Sequence, residues 1–108
     1  MERSGPIPVR LTRLAADDLA EAFAYVDARN RIAAVRLAEQ LRSGVERLGA
    51  HPLIGVALSP EDYELVAPGI RFIAVEPYVV FYRANPDSVV VPRILHSRRD
   101  YLSELLGQ

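Results

Sequence analysis

Cysteine and lysine are both missing from this 108-residue chain. Without cysteine there is no disulfide framework, no thiolate metal site and no thiol nucleophile, which is compatible with a reducing cytoplasm. All 13 basic side chains are arginine. Genome composition accounts for that usage, although arginine also suits bidentate pairing with carboxylates and phosphates. They stand against 14 acidic residues, for a net charge of −1. No global positive field therefore draws the chain onto nucleic acid, and only a local patch remains open. No segment approaches the roughly 20 apolar residues of a membrane span, and the opening MERSGPIPVR lacks the apolar run of a signal peptide. A soluble, cytoplasmic protein with no membrane partner is expected. Glu61, Asp62 and Glu64 have no histidine or cysteine near them, so a solvated loop is expected there rather than a metal site. Nothing calls for a cofactor.

Half of the residues are hydrophobic. That supports one compact core and so a single domain over 1–108. A chain this short buries a smaller share of its surface than a longer one, which leaves room for a permanent partner to contribute stability.

From Pro8 to Leu14, Val9, Leu11 and Thr12 interleave with Arg10 and Arg13, a period of two that predicts a short edge strand. Leu19, Ala22, Phe23 and Val26 then recur at helical spacing, with Asp17 and Asp18 expected in the first turn beside the positive helix end. Asn30 is the expected N-cap of a longer helix bearing Ala34, Leu37, Ala38, Leu41, Val45 and Leu48, and Gly49 its expected end. A connection as short as Ala28 to Arg31 predicts an antiparallel helical hairpin. Pro52, Gly55 and Pro60 mark an irregular crossing.

Strands follow: Tyr63 to Val66 as weak pairing, then Ile70 to Val75, Tyr78 to Arg83 and Val89 to His96. Pro77 and Asn85-Pro86-Asp87 divide them into hairpins. Pro92 cannot donate to a ladder and predicts a bulge or an edge position. Of Tyr78, Phe81 and Tyr82, at least one is expected in the core, Phe81 by default, and another exposed for contact. Ser97 to Leu106 can form a last short helix. The fold class is therefore α+β: an N-terminal strand, an antiparallel helical hairpin packed on a twisted antiparallel sheet, and a short C-terminal helix.

Several short motifs in this order resemble one family. They are Asp17-Asp18-Leu19 with Tyr25, then Pro52 and Gly55, Gly69-Ile70-Arg71, Phe81-Tyr82-Arg83, and Arg93-Ile94-Leu95-His96 followed by Arg99-Asp100. Together they resemble the ParE-like toxins of the RelE/ParE toxin–antitoxin superfamily over about nine-tenths of the chain. The resemblance implies a type II toxin that inhibits DNA gyrase by protein contact and causes growth arrest. It also implies a cognate ParD-like antitoxin, held in a hetero-oligomer, whose initially disordered segment folds against the hairpin and sheet.

RelE-like members are similar in fold and cut messenger RNA on the ribosome. Such cleavage needs a base, a group that stabilises charge on phosphate and an acid for the leaving oxygen. Where that branch carries a strand arginine after Tyr78, this chain has Val79, and Ile73 stands in place of a lysine. In the favoured reading no residue is catalytic. Arg71, Tyr82, Arg83, His96, Arg98 and Arg99 are expected to bind the target or partner. The alternative is an endoribonuclease built on Arg71, Arg83, His96 and Tyr101, and a further alternative is an antitoxin-binding module without toxicity. Each residue also has a plainer reading: His96 as a structural strand-end histidine, Arg71 and Arg83 as internal partners of an acid such as Glu76, and Arg98 to Asp100 as a solvated helix start.

Overall fold

The computed structural model describes residues 6–58 and 69–98. Strand β1 (Val9–Leu11) leads into helix α1 (Arg13–Asp27) and helix α2 (Arg31–Ala50). Four strands follow: β2 (Val56–Ala57), β3 (Ile70–Val75), β4 (Tyr78–Ala84) and β5 (Val89–His96). The two regions read as weak pairing (Tyr63–Val66) and as a C-terminal helix (Ser97–Leu106) fall outside the described residues, except for Ser97 and Arg98.

Thr12 decides where α1 begins. Its hydroxyl accepts from the Ala15 amide at 3.1 Å and donates to the Pro92 carbonyl at 2.9 Å, so one residue caps the helix and pins its start to β5. Asp17 and Asp18 consequently fall beyond the first turn, which holds no acidic residue. The expectation of a dipole role for them is corrected, because the capping hydroxyl lies upstream of both.

Asn30 caps α2 as its side-chain type predicts, accepting from the Ala33 amide at 3.0 Å. Gly49 does not end the helix, which runs on to Ala50 and closes with the His51 amide on the Arg47 carbonyl. A Cβ at Gly49 would stand 2.6 Å from the Ile7 carbonyl oxygen. The glycine serves close approach to the N-terminal segment, whose Ile7 amide donates to the Gly49 carbonyl.

The five strands of the described residues form one sheet in the order β1-β5-β4-β3-β2. It is mixed, which corrects the all-antiparallel expectation: β1 runs parallel to β5, with Val9 opposite Val89 and Leu11 opposite Val91, while the other pairs are antiparallel. Alternation along a strand specifies a half-buried edge and says nothing of its partner's direction. Pro92 sits where the sequence requires. Phe81 opposes Arg93 and Arg83 opposes Val90, so Tyr82 faces the two residues Val91 and Pro92 across a bulge.

The hairpin buries Ala22, Leu37, Leu41 and Leu48 against Val80, Tyr82, Val89, Val91 and Ile94. A second cluster, Ile70, Val79, Phe81 and Leu95, occupies the opposite sheet face. Tyr78, Phe81 and Tyr82 are all buried, so the expectation that one of them is exposed is corrected. Phe81 is in the core as expected. Core side chains of this kind contribute about 1.5–3 kcal/mol each by removal from water.

Candidate functional site

A charged residue inside the apolar run VVVPRILH demands a partner, because burying a lone guanidinium costs several kcal/mol. Arg93 is 8% exposed and finds Asp18 on α1. Its Nε and Nη2 donate to the two carboxylate oxygens at 2.8 and 2.9 Å, a bidentate pair. The Ile94 amide donates to the same carboxylate at 2.9 Å. The paired span of β1 ends at Leu11 opposite Val91. Asp18 thus replaces the strand beyond it and satisfies a backbone donor of β5.

One turn further along α1 a cleft of about 330 Å³ opens between the helix and the end of β4 and β5. It is lined by Asp18, Glu21, Ala22, Tyr25, Tyr78, Ile94, Leu95 and His96. Tyr78 and His96 face each other as register partners, their rings edge-on with centroids 5.3 Å apart. His96 Nδ1 accepts from the Arg98 amide at 3.1 Å, which leaves the ring proton on Nε2. Burial raises the Tyr78 phenol above its usual range, and the nearby Tyr25 and Glu21 raise it further. On the solvent side, the Arg29 guanidinium lies 3.9 Å from the centre of the Tyr25 ring and also donates to the Tyr25 carbonyl. No group of metal-ligating side chains assembles among the described residues.

The residues singled out from sequence are spread over the molecule. Arg71 is half-buried on β3 and donates to the Gly55 carbonyl at 2.8 Å. Tyr82 is fully buried, and its hydroxyl accepts from the Gly55 amide at 2.8 Å. The two therefore clamp the same glycine, and Tyr82 has no surface to offer. Arg83 pairs with Ile70, a member of the cluster on the sheet face away from the helices. Residues opposed in a ladder share a face, so Arg83 and Arg71 point to opposite sides. His96 lies opposite Tyr78, four residues along β4 from the position opposite Arg71 and two strands across, roughly 16 Å away by strand geometry. Arg98 is exposed beside His96. Arg99 and Tyr101 lie outside the described residues.

Sequence reading did not foresee the Asp18–Arg93 pair or the Glu21, Tyr25 and Tyr78 cleft. A buried arginine within an apolar strand was the available signal for the first. The second depends on which helix face meets the sheet end, which periodicity leaves open. Exposed apolar side chains cluster elsewhere: Leu53, Ile54 and Val56 beside the edge strand β2, and Ile32 and Val35 on α2.

A strand, a helical hairpin and a meander whose last strand returns beside the first place the chain in the RelE/ParE-like fold class. Two solved structures share the fold. The chromosomal ParDE toxin–antitoxin system from P. aeruginosa aligns with a TM-score of 0.67 at 20% identity, covering 83% of this chain and 95% of that one. The RelBE2 toxin–antitoxin complex from Mycobacterium tuberculosis aligns with a TM-score of 0.59 at 23% identity, covering 89% and 97%. Within the class, the family described as the ParE toxin of the type II toxin–antitoxin system parDE matches residues 9–101. Toxin ParE3 of Caulobacter vibrioides is 33% identical over 96 residues, covering 87% of this chain and 90% of that toxin. The chain belongs to the ParE toxin family of type II toxin–antitoxin systems.

Proposed function

We propose that this ParE-family toxin inhibits DNA gyrase by protein contact in the cytoplasm, and that a cognate antitoxin neutralises it by folding a disordered segment onto the hairpin and sheet. One observation carries the non-catalytic part of the reading. Arg71, Arg83 and His96, which an endoribonuclease would need together, point to different faces and ends of the sheet. In-line cleavage needs its base, acid and charge-stabilising group within hydrogen-bonding reach of one phosphate. A separation of roughly 16 Å between Arg71 and His96 does not supply that.

Contact with the target then falls to side chains that reach solvent. Arg83 and Arg98 are the polar contacts, with His96 beside Arg98, and Arg99, which lies outside the described residues, joins them by its place in the sequence. Arg71 and Tyr82 act from inside by holding Gly55. No helix among the described residues is long and apolar enough to cross a membrane. The test compares plasmid supercoiling and trapped DNA breaks by purified gyrase, with and without the toxin, beside a ribosome-programmed messenger RNA cleavage assay. Inhibition or trapped breaks with intact messenger RNA is expected. Cleaved messenger RNA with unaffected gyrase would overturn the reading.

A further inference from the structure

We infer that the cleft formed by Glu21, Tyr25, Tyr78 and His96 is a receptor for one basic side chain, arginine or lysine, presented by the antitoxin. This rests on the antitoxin partnership above and adds a specific subsite to it.

The balance of charge in the cleft favours a cation. Asp18 contributes none, since both its oxygens are taken by Arg93 and the Ile94 amide. Glu21 is exposed and makes no ion pair with another described residue, so among the described lining residues it is the acid whose charge no ion pair takes up, while the Arg29 guanidinium lies outside the lining against the Tyr25 ring. Tyr78 supplies the second, independent indication. It is 8% exposed, lines the cleft, and its hydroxyl makes no hydrogen bond with another described residue, while among the described residues no buried polar side-chain atom lacks a partner. The hydroxyl therefore opens into the cleft with lone pairs that no described residue uses, an acceptor in a largely apolar wall.

The rest of the lining suits the same guest. Tyr25 and Tyr78 present aromatic surface, which attracts a guanidinium or ammonium, and the Arg29 contact shows the Tyr25 ring already accepting one. With Nδ1 occupied by the Arg98 amide, His96 keeps Nε2–H as a donor, fitted to a backbone carbonyl of the segment that carries the basic side chain. A volume of about 330 Å³ accommodates one long side chain. Phosphate is the wrong chemistry, because Glu21 would repel it without an opposing arginine in the lining. A partner segment that folds on binding gains register from such a charged anchor.

The test uses Nα-acetyl-arginine methylamide as probe and its uncharged citrulline counterpart as control, titrated into the isotope-labelled toxin and followed by NMR at the His96 and Tyr78 rings. A saturable shift with arginine and none with citrulline is expected. Glu21→Gln and Tyr78→Phe should each weaken binding about five- to tenfold with an otherwise unchanged amide spectrum, the loss of a charge-assisted contact. Glu21 is exposed, so its variant tests the charge without disturbing the core. Saturating antitoxin should abolish the arginine shift. Equal response to citrulline, or no saturable response, would overturn the receptor. A toxin–antitoxin complex that binds the probe as well as the free toxin does would overturn the antitoxin as its occupant. Gyrase takes part in none of these arms, so their failure leaves the proposed function standing or falling on its own test.

Discussion

Removing the Asp18 carboxylate would take the bidentate partner from the buried Arg93 guanidinium and the acceptor from the Ile94 amide. Breaking a buried pair in this way costs about 3–5 kcal/mol, even where replacing both partners is nearly neutral. Asp18→Ala should therefore lower urea stability by about 3–5 kcal/mol, and Asp18→Ala combined with Arg93→Met should lose less than Asp18→Ala alone. Equal losses would show that the packing of α1, rather than charge, sets the cost. Tyr78 adds a pH dependence at the same scale. Its folded phenol ionises above the usual value near about 10, so between the two values the unfolded chain has released a proton that the folded one keeps. Stability from this group is present below about 10 and is lost as pH rises through the folded value. Tyr78→Phe should flatten the alkaline limb of a stability–pH curve measured by denaturant unfolding, while its neutral-pH stability drops little.

Two glycines show how elements are held at contact distance. A Cβ at Gly49 meets the Ile7 carbonyl at 2.6 Å. One at Gly55 meets the Tyr82 ring at 2.6 Å and the Phe72 carbonyl at 2.7 Å. Alanine in a helix gains about 1 kcal/mol over glycine in propensity, but overpacking against backbone costs about 1–3 kcal/mol. Gly49→Ala should consequently destabilise, read as a lower thermal midpoint. Much of this architecture was legible beforehand because it is local. Asn30 announced its cap, the apolar stripe from Ala34 to Leu48 its buried face, and Pro92 its bulge. What stayed hidden depends on partners distant in sequence. The direction of β1 is set by β5 some 80 residues later, the start of α1 by Thr12 reaching Pro92, and the purpose of Gly49 by Ile7. The residues singled out for a site are not gathered in one place. His96 does line a cleft, yet Tyr82 is interior, and the acid that marks the cleft is Glu21.

At the scale of the whole molecule, charge reversal at the exposed Arg98 should reduce gyrase inhibition at least about tenfold, the effect of losing one contact to a charged group. Its thermal midpoint should stay unchanged. A variant that inhibits normally would remove Arg98 from the contact. Antitoxin at about 1,000 times its dissociation constant stabilises a partner by about 4 kcal/mol, which for a domain of this length corresponds to roughly 15–30 °C in melting temperature. Calorimetry of the toxin alone and in complex checks that figure. The parallel pairing of Val9–Leu11 with Val89–Val91 also has a consequence for synthesis. A ribosome adds about 5–20 residues per second, so the first strand waits about 4–16 seconds for its neighbour to be made and longer for it to emerge. A growing chain thus stays short of its finished sheet until β5 has been made and has emerged. The cell gains an interval in which an antitoxin already present can meet the toxin at the moment it becomes whole.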